Sequence, residues 1–137
     1  MNEPDLIREM LGARTIAVIG LSDNPVKPSH FVSEYLQQHG YTIYPINPGL
    51  LPTPGKVLGE KVYASLAELP VKPDVVDVFR LPNALPGIVA EMLELGLKNL
   101  WVQQGIMNLE AASTAEAGGI KVVMDRCLKV EHQRANL

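Results

Sequence analysis

A glycine-led turn follows the first apolar run of the sequence and has the residue types of a phosphate-binding loop. Its residues are Gly20-Leu21-Ser22, followed by Pro25 and Lys27. Backbone N–H groups in such a turn, and at the start of a helix after it, carry a partial positive charge that suits phosphate. A glycine there permits positive φ or close approach of the backbone. We therefore expect outward-pointing N–H groups and a phosphate-bearing ligand at this turn.

The spacing in this turn differs from that of a nicotinamide dinucleotide fingerprint. Ser22 stands where G-x-G-x-x-G has its second glycine, and the third glycine has no counterpart. The second apolar run ends at Asn47, whereas nicotinamide sites usually place an acidic residue there to bind the ribose hydroxyls. Pro28 keeps the loop extended, and Ser29 is predicted to cap the following helix. An NAD-binding domain is therefore the least favoured of the nucleotide-binding alternatives.

Basic residues near the predicted ligand edge could bind a polyanion. The candidates are Lys27, Lys56, Arg80 and Arg126. Ammonium and guanidinium groups form charge-assisted hydrogen bonds to phosphate. For each of them taken singly, an ordinary surface charge remains the alternative.

The other chemically active residue types form no catalytic or metal-binding pattern. The histidines share no metal-ligand spacing, and one cysteine, Cys127, leaves too few ligands, so no metal site is predicted. Asp77 interrupts an apolar strand. It is expected to pair with Arg126 or with backbone amides, the alternative being a general base. No Ser-His-Asp order or paired carboxylates stand out, and no catalytic residue is predicted.

Apolar runs alternate with helical patterns along the chain, which predicts parallel strands joined by right-handed crossovers. The predicted strands are Thr15–Ile19, Tyr41–Ile46, a short one around Lys61–Tyr63, Val75–Phe79, Asn99–Gln103 and Ile120–Met124. The predicted helices are Pro4–Leu11, Ser29–His39, a brief one opened by Ser65, one capped by Asn83 and ending at Leu95, and Asn108–Ala117, with a short tail after the last strand. We expect a Rossmann-like three-layer α/β/α sandwich with a parallel sheet of five or six strands.

Composition limits the function classes further. A chain of 137 residues with 47% hydrophobic residues is expected to form one domain, 1–137. A net charge of -3 and the lack of a basic stripe argue against nucleic acid. No apolar run is long enough for a membrane span, and no signal peptide is evident. A single cysteine is typical of a reducing compartment, so a cytoplasmic location is expected.

The ends of the predicted strands resemble those of the stand-alone CoA-binding domain proteins. This family is itself similar to the CoA-binding domain of the succinyl-CoA synthetase alpha subunit. The resemblance runs from about residue 15 to about residue 132. It is carried by Gly20-Leu21-Ser22 with Pro25 and Lys27, by Asn47-Pro48, by Phe79-Arg80, by Gln103-Gln104-Gly105 and by Asp125-Arg126-Cys127.

The resemblance implies a ligand and a set of contacts. It implies that Gly20, Leu21 and Ser22 meet the phosphates of CoA, and that Asn47, Pro48 and Lys56 lie beside its adenosine diphosphate part. It also implies that Phe79-Arg80 and Gln103-Gln104-Gly105 line the rest of the groove. Cys127 follows the last strand, where a mixed disulfide with CoA and inert packing are the alternatives.

Two function classes follow from these observations. The first is a non-catalytic cytoplasmic module that binds CoA or an acyl-CoA and that acts alone or beside an unknown protein partner. The second is a CoA-dependent enzyme, or one subunit of a split acyl-CoA ligase or transferase. Ligases of this class use a phosphohistidine domain and nucleotide-grasping domains that have no counterpart in these residues, so the resemblance implies binding rather than ligase activity.

Overall fold

Five parallel strands form the central sheet, and a two-stranded hairpin lies beside it. The computed structural model describes residues 1–135. The strands are β1 (Thr15–Ile19), β2 (Thr42–Ile46), β3 (Lys56–Val57), β4 (Glu60–Lys61), β5 (Val75–Val78), β6 (Asn99–Val102) and β7 (Lys121–Met124). The helices are α1 (Pro4–Leu11), α2 (Pro28–Gln38), α3 (Leu85–Leu95), α4 (Leu109–Ala117) and α5 (Leu128–Ala135). The sheet order is β2-β1-β5-β6-β7.

Both faces of the sheet are covered by helices, which explains the continuous apolar runs of its strands. Val76 and Val78 of β5 pack in one core together with apolar residues of α3 and α4. Val75 and Trp101 belong to a second core on the other face, with residues of α1, α2 and α5. The prediction of a Rossmann-like α/β/α sandwich is therefore confirmed.

The predicted third strand at Lys61–Tyr63 does not join the sheet as a strand. Lys61 pairs with Lys56 in the antiparallel β3–β4 hairpin. Tyr63 makes a single parallel bridge to Ile46, with its backbone N–H donating to the Pro45 carbonyl at 2.9 Å. The segment pairs with β2 in this single bridge, directly after the chain leaves the hairpin. The sheet consequently has five strands rather than six.

Several predicted helix ends are also corrected. Asn83 does not cap α3, because a 3-10 turn over Pro82–Ala84 precedes that helix. The helix predicted after Ser65 is a single 3-10 turn, Leu66–Glu68. The predicted tail forms α5, which packs against α1 and α2 and buries Leu128 and His132. No helix within residues 1–135 is both long and apolar enough to cross a bilayer.

Candidate functional site at the carboxyl edge of the sheet

A groove lies at the point where the chain reverses its direction of winding. From β1 the chain crosses through α2 to β2 on one side, whereas β5, on the other side of β1, leads through α3 to β6. Open α/β sheets bind ligands at the carboxyl ends of the strands at such a switch point. The groove has a volume of about 950 Å³, which is the size of a small-molecule site.

The structure brings seven of the predicted site residues to the wall of this groove. They are Gly20, Ser22, Lys27, Phe79, Arg80, Gln103 and Gln104. They come from the turns after β1, β5 and β6 and from the start of α2. Lining the groove is a matter of location, and binding by these residues stays a prediction.

A glycine is required at position 20 because the backbone that follows the parallel neighbour strand β5 passes close to it. Its φ is +89°, a region that residues with a side chain rarely adopt. A Cβ at this position would lie 2.5 Å from the carbonyl oxygen of Phe79 and 3.0 Å from the Arg80 side chain. The close approach that requires glycine is thus made by the protein's own backbone.

The first turn is held to α2 by its own polar groups. The N–H of Gly20 donates to the Ile46 carbonyl (2.8 Å), and the N–H of Ser22 donates to Ser29 Oγ (2.9 Å). His30 Nδ1 lies 2.9 Å from the carbonyl oxygen of Ser22. The expectation of outward-pointing N–H groups is therefore wrong for Gly20 and Ser22. Ser29 is not the N-cap either, because the helix begins one residue earlier and its hydroxyl turns back toward the loop.

Positive charge reaches the groove from Lys27 and Arg80. Lys27 is the residue before α2, and Arg80 comes after β5. Neither forms a salt bridge with any residue of the described range 1–135. Two cations without a carboxylate partner on one groove can bind an anion without first breaking an ion pair.

The other two candidate cations lie away from the groove wall. Lys56 is exposed on the β3–β4 hairpin. Arg126 donates from Nη1 to the carbonyl oxygen of its neighbour Asp125 (2.8 Å). The structure therefore gathers two of the four candidate cations at the groove.

Five more predicted site residues lie outside the groove wall. Asn47 joins two turns, since its Nδ2 donates to the carbonyl of Leu21 (3.0 Å) and its Oδ1 accepts from the N–H of Gly49 (3.0 Å). The N–H of Gly105 donates to Asp125 Oδ1 (2.7 Å). These five are Leu21, which is fully buried, the exposed Pro25 and Pro48, Asn47 and Gly105.

Asp77 is buried in the core beneath the groove and has one side-chain partner. Gln103 Nε2 donates to Asp77 Oδ1 at 2.7 Å. Asp77 Oδ2 has no hydrogen-bond partner among the residues that the structure describes. Burial raises the pKa of Asp77 to about 7, and the bond from Gln103 opposes that rise. Of the two expected partners, Arg126 is wrong, because Gln103 supplies the side-chain partner, whereas a backbone amide does contribute, since a hydrogen bond from the Val78 backbone also lowers the pKa of Asp77.

Apolar residues of the groove were missed at the level of sequence. They are Phe31 and Val32 of α2, Leu81 after β5 and Ile106 after β6, and Cys127 lies beside them. Phe31 is 42% exposed and Leu81 74% exposed, which is unusual for large apolar side chains. Their signal in the sequence is weak, because Phe31 and Val32 lie in a helical pattern that usually indicates core residues, and Leu81 and Ile106 lie in turns that have no periodic pattern. The part of the chain that the structure describes holds no cluster of three metal-ligating side chains.

The sequence profile described as "CoA binding domain" matches residues 14–133. The chain belongs to the CoA-binding domain family. It is 43% identical over 127 residues to the uncharacterized protein YneT of Bacillus subtilis, covering 92% of this chain and 91% of YneT. A solved structure, cell-free ID.343 from Thermus thermophilus, superposes with a TM-score of 0.89 at 42% identity, covering 98% of each chain.

A longer relative connects the family to ligases. The chain is 30% identical over 115 residues to the ADP-forming acetate–CoA ligase II of Archaeoglobus fulgidus. That match covers 82% of this chain but only 16% of the ligase. The CoA-binding domain family is thus related to one domain of acyl-CoA ligases, and the resemblance drawn from the strand ends is confirmed.

Proposed function

We propose that this protein binds CoA, or an acyl-CoA, in the groove at the carboxyl edge and that it acts as a non-catalytic module. The observation that carries the proposal is the pair Lys27 and Arg80, two unpaired cations on a groove at the switch point of a CoA-binding domain. CoA is a polyanion, and these two side chains offer it positive charge. The single cysteine supports a cytoplasmic setting for this activity.

The remaining lining suits the uncharged part of such a ligand. Phe31, Val32 and Ile106 offer apolar surface, and Gln103 and Gln104 offer amides. A mostly apolar groove with a few placed polar groups is typical of small-molecule sites. A pantetheine arm, with its short alkyl segments and two amides, matches this combination.

A CoA-dependent enzyme or ligase subunit is the alternative. The observation that favours it is Cys127, a thiol on the groove wall. No histidine lines the groove among residues 1–135, and a nucleophile usually needs an adjacent base. The binding module is therefore the better supported function, and turnover with acyl-CoAs and nucleoside triphosphates would overturn it.

Calorimetric titration with CoA, NAD and ATP tests the proposal. We expect CoA to bind more tightly than NAD, and the affinity for CoA to fall with added salt. Lys27→Ala and Arg80→Ala are each expected to weaken CoA binding by about 1–2 kcal/mol, roughly 5- to 30-fold. Lys72→Ala makes the same charge change at an exposed position away from the groove wall and is the control. Tighter binding of NAD than CoA, or equal losses in all three variants, would contradict the proposal.

Dephospho-CoA, which lacks the ribose 3′-phosphate, assigns each cation to a phosphate. A variant of the residue that holds the 3′-phosphate loses its effect with this ligand, whereas one that holds the pyrophosphate keeps it. Lys56→Ala belongs in the same series, because the family resemblance puts Lys56 beside the nucleotide while its side chain lies on the exposed hairpin.

A further inference from the structure

Asp77 is an ionisable residue in an otherwise apolar, fully buried strand. It lies in the middle of the sheet, fully buried, on the β5 face that also carries Val75. Its neighbour in β6 is Trp101. A buried carboxyl group with one oxygen unpartnered destabilises a fold relative to an apolar residue of similar size. Such a residue points to a task other than stability.

The hydrogen bond of Asp77 fixes the orientation of the Gln103 amide. Above about pH 7, where Asp77 is ionised, its carboxylate oxygens only accept hydrogen bonds, so they must face the NH2 group of the amide and not its oxygen. Nε2 accordingly donates to Oδ1 at 2.7 Å. The backbone of Gln103 is held as well, since its N–H donates to the Val78 carbonyl (3.3 Å) and its carbonyl accepts from Ile106 (3.2 Å). The side-chain amide of Gln103 therefore has little freedom to turn.

The oxygen of the Gln103 amide is the atom left for the groove. Gln103 lines the groove although its side chain is only 4% exposed. Its Oε1 accepts no hydrogen bond from a described residue, and it is not one of the sealed, unpartnered atoms of the core. A fixed acceptor on the wall of a groove selects a ligand that brings a hydrogen-bond donor to that point.

We propose that Asp77 is a positioning residue that holds Gln103 with its amide oxygen toward the groove, where it accepts a hydrogen bond from an amide N–H of the ligand. This inference rests on the proposed function, and it assigns Gln103 to the pantetheine arm of CoA rather than to its nucleotide. The adenine amino group is the other N–H donor of CoA, and the experiment separates the two.

The test compares CoA with 3′-phosphoadenosine 5′-diphosphate, which keeps the base and the phosphates but has no amide. At pH 8, Gln103→Met is expected to weaken CoA binding about 10-fold and to leave binding of the truncated nucleotide unchanged. Asp77→Asn, which allows the Gln103 amide to face either way, is expected to weaken CoA binding several-fold with the same selectivity. Gln38→Met, an equal change on the exposed side of α2, is the control.

A spectroscopic readout accompanies the titration. The two side-chain N–H protons of Gln103, assigned by their loss in Gln103→Met, should show one strongly hydrogen-bonded proton in the wild type. The chemical shift that marks this hydrogen-bonded proton should disappear in Asp77→Asn. If the wild type binds neither ligand, the proposed function fails and this inference with it. If the wild type binds CoA but both variants lose CoA and the truncated nucleotide equally, or lose neither, only the role of Asp77 and Gln103 is overturned.

Discussion

Asp74 directly precedes β5 and Asp77 lies within it, and their carboxyl groups have opposite surroundings. Asp74 Oδ2, at the amino edge of the sheet, accepts hydrogen bonds from the backbone N–H groups of Arg14 (2.9 Å) and Thr15 (3.1 Å). The bond from Arg14 is the main cause that lowers the pKa of Asp74. Asp77, toward the carboxyl edge, has Gln103 as its one side-chain partner, and burial raises its pKa to about 7 against the hydrogen bonds from Gln103 and the Val78 backbone. The Asp74 carboxyl group stabilises the fold as an anion, whereas the Asp77 carboxyl group is protonated below about pH 7.

The same contrast separates two glycines with positive φ. Gly40, which precedes β2 at the amino edge, has φ +93° and open space where a Cβ would be. Gly20, at the carboxyl edge, has φ +89° and the Phe79 carbonyl at that place. The amino edge is arranged for satisfied hydrogen bonds and simple turns. The carboxyl edge carries crowded backbone, an unpartnered oxygen and unpaired cations, which are the features that gather at functional sites.

The largest effect is expected for Gly20→Ala. Positive φ costs about 1–3 kcal/mol for a residue with a side chain, and displacing the Phe79 backbone adds a similar amount, about 2–6 kcal/mol in all. Gly40→Ala keeps the positive φ without the contact and should lose only the first part, about 1–3 kcal/mol. Urea unfolding measures both free energies. Equal losses of unfolding free energy in the two variants would contradict the proposed difference in backbone crowding between the two edges of the sheet.

A smaller effect is expected for Asp77→Asn, which should raise the free energy of unfolding at high pH. Because the folded pKa of Asp77, about 7, exceeds its ordinary value of 3.8, the folded state binds a proton that the unfolded chain releases. The stabilisation of the fold that comes from this bound proton is complete below about pH 4 and is lost as the pH rises through 7. At pH 8 the free energy of unfolding of the variant should exceed that of the wild type by about 2 kcal/mol. This gain is smaller than the whole pKa shift implies at about 1.4 kcal/mol per pKa unit, because the new amide N–H is itself buried.

The smallest effect, with the opposite sign, is expected for Asp74→Asn. The lowered pKa of Asp74 means that its stabilisation is present above the ordinary carboxyl pKa and is lost as the pH falls through the folded value. The variant should be less stable than the wild type at pH 7, by under about 1 kcal/mol since the group is exposed, and equal to it near pH 2. Unfolding free energies at pH 2, 5 and 8 give both curves, and the same sign for the two carboxyl groups would refute the contrast.

Those parts of the molecule that depend on local pattern could be predicted from the sequence. The apolar run before Gly20 predicts a buried strand, and the residues after each strand predict one shared edge. The pairing of Asp77 with Gln103 could not be predicted, because it depends on the register between β5 and β6. The separation of Lys27 from Lys56 could not be predicted either, because it depends on a hairpin that turns away from the sheet. The hydrogen bond from the Ser22 N–H to Ser29 could not be predicted, because it depends on the Ser29 hydroxyl facing back toward the loop.

Amide chemical shifts during a CoA titration test the central claim most directly. We expect the backbone signals of Gly20, Lys27, Arg80 and Gln103 to shift together and to saturate with one affinity. The signals of Gly40 and Val75, at the opposite edge of the sheet, should stay in place. Shifts concentrated at the amino edge, or a spectrum unchanged by CoA, would contradict the assignment of the carboxyl edge as the ligand site.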